Sequence, residues 1–250
     1  MRLILGTAAI GGEPYAGATV SRDEARQIII TAQSHGIHHF DTSPAYGNAE
    51  ALLGELVDYR DTVMSKHPHL NFMLSSLRAL SVNGTRVHLM VHNLPAKVVD
   101  SAEGWKQLPL WCDGYSAYIG DSGLSRHAWH KNLLKQYDCS IINPQALKLD
   151  TKFMARSVFM QGALCGRKVN ATVDAAVDSA AQLAYALNLP LPALALHWAL
   201  QQPNITGVVI GPSSVAELEQ IIAWYNMKVQ PIGRLASLIT TTNMDARSWN

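Results

Sequence analysis

Short apolar runs alternate with longer stretches of helical periodicity along almost the whole chain. That alternation points to βα units around a parallel sheet. A parallel strand covered on both faces reads as a continuous apolar run, and its crossover as a helix. Strands are expected at Arg2–Leu5, Ile37–Asp41, Thr62–Ser65, Arg86–Val91, Ala117–Gly120, Cys139–Ile142, Ser157–Leu164 and Ile205–Ile210. Helices are expected at Ser21–Gln33, Asn48–Leu56, Asn71–Leu80, Ala102–Gln107, His127–Gln136, Asp174–Leu187, Ala193–Gln201 and Ser214–Trp224. Asp150–Ala155 offers only one or two further turns. Ser21-Arg-Asp-Glu24 is a capping box that starts the first helix, and Gly36 closes it. Eight strands, each followed by a helical segment, favour a closed α/β (β/α)8 TIM barrel over an open doubly wound sheet. The 250 residues, 48% of them hydrophobic, suit one domain over 1–250. The spacing is too regular to place a boundary, and there is no linker or repeat.

Composition narrows the function. Lys and Arg number 20 against 19 for Asp and Glu, a net charge of +1 without a basic stripe, so nucleic acid is not expected as a partner. No stretch approaches the ~20 apolar residues that span a bilayer. The N-terminal apolar run is broken by Gly6, Gly11 and Gly12, and reads as a strand and its loop, not a signal peptide. Cys112, Cys139 and Cys165 are an odd, widely spaced set, and read as buried or semi-buried thiols of a protein in a reducing cytoplasm. His67-Pro-His69 and His127-x-x-His130 have ligand-like spacing but read as surface histidines, so no metal is expected. One of His38 and His39 is expected to pack in the core.

The active site of such a barrel lies at the C-terminal ends of its strands. Three successive expected strands end in or just before Asp41, Lys66 and His92, with Tyr46 in the loop after Asp41. These residue types fit carbonyl chemistry. Hydride addition to a carbonyl leaves an alkoxide that needs a proton. A phenol can give it, although its reference pKa of ~10 is high for neutral pH. An ammonium stabilises the phenolate, a carboxylate anchors the ammonium, and an imidazole hydrogen-bonds the substrate oxygen. The expected catalytic set is Tyr46 as general acid, Lys66 as its activator, Asp41 as the anchor of Lys66, and His92 as the donor that orients the carbonyl.

The run Phe40-Asp41-Thr42-Ser43-Pro44-Ala45-Tyr46-Gly47-Asn48-Ala49-Glu50-Ala51-Leu52-Leu53-Gly54 resembles the aldo-keto reductase signature. Val63-Met64-Ser65-Lys66 is similar to that family's strand ending in the catalytic lysine, and Val91-His92-Asn93 to the segment carrying its histidine. Ala193–Trp198 and Val208–Ser214 resemble its last two units. The resemblance implies the same tetrad, NADP or NAD as cofactor, and a small aldehyde, ketone or sugar as substrate. It implies that Ser122 lies against the nicotinamide carboxamide, with Asn143 in the place of a family glutamine of similar role. Arg156 falls where many members stack an aromatic ring. Thr7 joins the cofactor-binding set on the same ground. Gly211, Pro212, Ser213 and Ser214 would cradle a phosphate at a helix N-terminus.

The chain departs from the pattern where relatives that prefer NADPH hold the ribose 2′-phosphate. Gly211 and Glu217 stand there, and Ile221 replaces an adenine-contacting asparagine. A carboxylate repels that phosphate and can accept from a free 2′-hydroxyl. Glu217 also completes a second capping box, Ser214-Val-Ala-Glu217, so a structural role stands beside the functional one. Two rivals to the reductase stay open: a cofactor-binding regulatory or scaffold protein on the same barrel, and an isomerase or lyase using Lys66 as a Schiff-base nucleophile. A monomer or small homo-oligomer without a membrane partner is expected.

Overall fold

Ser21 opens the first long helix as the sequence demands. Its hydroxyl accepts from the Glu24 N–H, and Asp23 and Glu24 sit in the first turn, where the helix dipole favours them. The structure is a computed structural model. It describes residues 2–12, 20–67, 73–80, 83–92, 117–122, 134–233, 236 and 239.

The described strands are β1 (Leu3–Gly6), β2 (His39–Thr42), β3 (Thr62–His67), β4 (Arg86–His92), β5 (Ala117–Ser122), β6 (Leu134–Asp138), β7 (Phe153–Arg156) and β8 (Ile205–Ile210). The described α-helices are α1 (Arg22–Ser34), α2 (Ala49–Leu56), α3 (Met73–Leu80), α4 (Ala171–Ala186), α5 (Leu191–Gln201) and α6 (Val215–Tyr225). Contacts divide the chain into two units. The first comprises mainly Leu3–Gln136 and Gly211–Leu218; the second mainly Tyr137–Ile210 and Glu219–Asn250.

In the first unit each strand pairs in parallel with the next in the chain, from β1 through β6. Helix α1 buries Ala25, Ile28, Ile29 and Ala32, the spacing of one helical face. Burying Ile28 and Ile29 stabilises the unit by about 1.5–3 kcal/mol each. The helix stops at His35, and Gly36 follows in the left-handed region at φ 77°, where a glycine is unstrained. All six residues of β3 are buried, as a parallel strand covered on both faces should be. Successive β3 side chains point to opposite faces, so Lys66 faces one way while Ser65 and His67 face the other.

In the second unit β7 pairs in parallel with β8. Asn170 caps α4 by accepting from the Val173 N–H at 3.0 Å. Helix α5 begins with Pro192 in its first turn and buries six side chains, Trp198 among them. Cys139, just past β6, is fully buried, and burial pushes its thiol up to about 12.

Most expected elements stand within a few residues of their places, and Ile205–Ile210 stands where expected. Three expectations fail. The sixth strand is not Cys139–Ile142 but Leu134–Asp138, so the helix expected over His127–Gln136 gives way to strand at Leu134. The sequence Leu-Lys-Gln-Tyr-Asp hides it, because two of its buried residues, Lys135 and Gln136, are polar. The seventh strand is Phe153–Arg156 and not Ser157–Leu164. Ser157, Met160 and Gln161 all have positive φ, and the segment coils into a 3-10 turn at Ala163–Cys165. The one or two turns expected at Asp150–Ala155 are replaced by that strand and by a 3-10 turn at Gln145–Lys148.

His67 is a further correction. It lies in β3, fully buried, and not at the surface, because the strand runs two residues further than expected. His39 is exposed and His38 half-buried, its Nδ1 2.8 Å from Asp61 Oδ1. Cys165 is exposed. Cys112, His69, His127, His130 and the helix expected at Ala102–Gln107 lie outside the described residues. No single helix among the described residues is long and apolar enough to cross a membrane.

Candidate active site

Asp41 in β2 and Lys66 in β3 lie on neighbouring parallel strands. The Lys66 ammonium rests directly on Asp41 Oδ1, and the two side chains are only 4% and 3% exposed. Taking two charges out of water costs several kcal/mol per ion, so such a pair persists only with close contact and further hydrogen bonds. Gln136 of β6 supplies them. Its Nε2 donates to Asp41 Oδ2 at 2.6 Å, and its Oε1 lies 3.5 Å from Lys66 Nζ. The sequence reading missed Gln136 because it placed a helix there. Its signal was a polar residue amid what is in fact a buried strand.

Tyr46 rises from the turn that follows β2. Its N–H donates to the Ser43 carbonyl at 2.9 Å, and its own carbonyl accepts from the Ala49 N–H at 3.1 Å, at the start of α2. The turn is tied to β3 by Ser43, whose hydroxyl donates to the Lys66 carbonyl at 2.7 Å and accepts from the Ala45 N–H. Gly11, after β1, packs beneath it. Its carbonyl accepts from the Asn48 N–H at 2.8 Å, and a Cβ at position 11 would stand 1.8 Å from the Tyr46 carbonyl oxygen. The half-buried Tyr46 ring thus faces Lys66, with Nζ 5.3 Å from the ring centroid, within cation–π range. Asp41, Lys66, Tyr46 and Gln136 form one cluster, in which a fixed ammonium stands beside a phenol.

His92 ends β4 and pairs in register with Ser122, which ends β5; Ser122 pairs in turn with Gln136. The side chains of His92 and Ser122 lie outside the described part of the structure. Thr7 is fully buried. Its N–H and hydroxyl donate to the Asp41 carbonyl, and the hydroxyl lies 2.9 Å from Thr42 Oγ1. It braces the strand that carries Asp41.

The segment Gly211–Ser214 runs into the N-terminus of α6. Gly211 is exposed with open space around it, Pro212 is buried, and Ser213 and Ser214 are half-buried. Carboxylates hold two of the N–H groups here. Glu217 Oε2 accepts from the Ser213 N–H at 2.7 Å and its hydroxyl at 2.9 Å. The Glu217 N–H donates to Ser214 Oγ, one half of the expected capping box, while its side chain reaches one residue further back, to Ser213. Glu24 of α1 accepts from the Val215 N–H at 2.8 Å. Two carboxylates thus place negative charge at the start of this helix, where the dipole favours it.

In the second unit Asn143 lies in the turn after β6, 9% exposed, exchanging backbone hydrogen bonds with Ser140. Arg156 ends β7. Its guanidinium makes two parallel 3.1 Å hydrogen bonds to Asp138, and Ser157 adds a third to the same carboxylate at 2.6 Å. That fork fixes the plane of the Arg156 head group.

The aldo/keto reductase family model matches residues 2–76 and 123–238 of the chain. Among solved structures, the chain is similar to aldo-keto reductase AKR11C1 from Bacillus halodurans in its holo form. That likeness has a TM-score of 0.74 at 16% identity over 98% of this chain and 94% of that one, so the two share a fold. A comparison with curated protein sequences gave no match. The family model takes in the cluster of Asp41, Tyr46, Lys66 and Gln136 and covers well over half of the residues; the chain belongs to the aldo/keto reductase family, whose members carry out carbonyl reduction with a nicotinamide cofactor.

Proposed function

We propose that this chain interconverts a small aldehyde, ketone or sugar carbonyl and its alcohol, with Tyr46 as the general acid or base. The observation that carries this reading is the buried Lys66 ammonium, held on Asp41, tethered near Gln136, and facing the Tyr46 ring at 5.3 Å. The dinucleotide, when bound, supplies or accepts the hydride. In reduction Tyr46 delivers its phenolic proton to the carbonyl oxygen. Lys66 stabilises the phenolate that remains, and Asp41 holds Lys66 in place. His92 donates a hydrogen bond that orients the carbonyl. Ser122 and Asn143 hold the carboxamide, and the fixed plane of Arg156 offers a stacking surface. Gly211, Pro212, Ser213 and Ser214 line the adenosine side, and Thr7, which braces the strand carrying Asp41, completes the cofactor-binding set.

The carboxylates of Glu24 and Glu217 at the start of α6 support use of NAD(H), with Glu217 accepting from the ribose 2′-hydroxyl. Sequential parallel pairing in both units, together with the shared fold, supports a closed (β/α)8 barrel acting as one catalytic domain over 1–250. A monomer or small homo-oligomer in the cytoplasm completes the reading.

The test is fluorescence titration with NADH and NADPH, then turnover against a panel of small aldehydes and sugars. Tyr46→Phe is expected to bind cofactor normally and to lose about 10²–10⁴-fold in kcat. Turnover unchanged in Tyr46→Phe sinks the assignment of the acid. Cofactor binding without turnover in the parent chain favours a regulatory or scaffold role on the same fold.

A further inference from the structure

Behind Lys66, on the opposite face of β3, lies a second buried cluster that the chemistry above does not use. Ser65 and His67 flank Lys66 in the strand and are both fully buried. The Ser65 hydroxyl donates to Glu50 Oε1 and lies 2.9 Å from His67 Nε2. Ser76 of α3 donates to Glu50 Oε2 at 2.6 Å. Glu50 sits in the first turn of α2 and is 9% exposed. A carboxylate so nearly sealed costs several kcal/mol to desolvate unless it is well bonded, so its retention here needs a reason. Burial also raises its pKa, while the two serine hydroxyls oppose that rise.

The placement of Glu50 supplies the reason. The segment from Ser43 to Glu50 carries Tyr46, and it is fastened to β3 at both ends. At one end the Ser43 hydroxyl holds the Lys66 carbonyl. At the other, Glu50 holds the Ser65 hydroxyl. The two fastenings fall on adjacent residues of β3, and Tyr46 lies between them in sequence. A segment pinned on both sides cannot slide along the strand, so these two bonds hold Tyr46 at its distance from Lys66 along β3, while Gly11 supports the turn from beneath. Resting on the roles given above to Tyr46 and Lys66, we infer that Glu50 is a positioning residue, which through Ser65 fixes Tyr46 against the Lys66 ammonium.

Three variants test it. Glu50→Gln keeps the shape and can still accept from Ser65 while donating to Ser76. Glu50→Leu and Ser65→Ala each remove the fastening from one side. The expected result is a fall in kcat of about tenfold in Glu50→Leu and in Ser65→Ala with KM little changed, as for a misplaced reacting group. Glu50→Gln recovers most of the turnover, and the Glu50→Leu/Ser65→Ala double variant is no worse than Glu50→Leu alone. A second readout needs neither cofactor nor turnover. The near-ultraviolet circular dichroism of Tyr46, taken as the difference between each variant and its Tyr46→Phe counterpart, changes when the ring is no longer held against the ammonium. If Glu50→Leu fails to fold, Ser65→Ala carries the test by itself. A folded Ser65→Ala with the parent's kcat and tyrosine signature overturns the inference. Loss of activity in Glu50→Gln equal to that in Glu50→Leu overturns it as well. Failure of the reductase assignment would show separately, as turnover that survives Tyr46→Phe.

Discussion

Gln136 Nε2 donates to Asp41 Oδ2 at 2.6 Å while the Lys66 ammonium rests on Oδ1 of the same carboxylate. An ion pair this dry depends on every further donor it receives. Gln136→Leu removes the donor to Oδ2 without adding charge. It is expected to lower stability by about 1–3 kcal/mol, the cost of leaving a buried acceptor unmet. Turnover should fall with it, because Lys66 loses one of the groups near it. Denaturant unfolding of the variant beside the parent checks the first effect, and kcat the second. A Leu variant as stable and as active as the parent would mean that Asp41 takes its second bond elsewhere.

Cofactor choice should turn on charge at the start of α6. Glu217 accepts from the backbone and side chain of Ser213, and Glu24 from the Val215 N–H. The parent chain is expected to bind NADH more tightly than NADPH. Glu217→Lys should tighten NADPH by about tenfold or more, since a repelling charge is exchanged for an attracting one beside a helix N-terminus. Equilibrium titration of both cofactors decides the point. NADPH bound more tightly by the parent would assign Glu217 to helix capping alone.

Gly11 should tolerate no side chain. An alanine Cβ would stand 1.8 Å from the Tyr46 carbonyl oxygen, so the Tyr46 turn must move. Gly11→Ala is expected to lower stability by about 1–3 kcal/mol, as over-packing does. Its kcat should fall more than the loss of folded protein explains. Thermal unfolding and active-site titration separate the two effects.

Acid should weaken the fold through His67. Burial lowers its pKa from 6.5 to about 4. Between those values the unfolded chain binds a proton that the folded chain refuses, so stability is lost as pH falls from about 6.5 to about 4 and levels off below. The loss from this one group is at most about 3 kcal/mol. His88, also lowered to about 4, acts in the same window and in the same direction. Replacing His67 by Gln should therefore flatten the slope without abolishing it. Chemical denaturation at several pH values measures this, and an unchanged slope would mean that His67 is not the titrating group.

The part of the site that the sequence announced is the part with a fixed local spacing. Asp41, Tyr46 and Glu50 lie on one strand–turn–helix, and Lys66 ends an apolar run. Gln136 was illegible for a physical reason. A strand that buries Lys135 on one face and Gln136 on the other, only 6% and 0% exposed, presents no apolar alternation to read. The opposite error occurred at Ser157–Leu164. Val158, Met160 and Leu164 are buried there, so the run looks like a strand. The left-handed residues Ser157, Met160 and Gln161 fold it into turns instead, and only Gly162 gave notice of that. His67 was misread because two more residues of β3 turn a loop histidine into an interior one.

The sealed thiol of Cys139 has a practical consequence. With no exposed surface and a pKa near 12, it meets a thiol reagent as a thiolate only when the chain around it opens. Cys165, at the surface, is open to reagent in the folded state. Peptide-resolved labelling of Cys139 thus makes the native chain its own clock for opening, one that counts escapes from the folded state without an added probe.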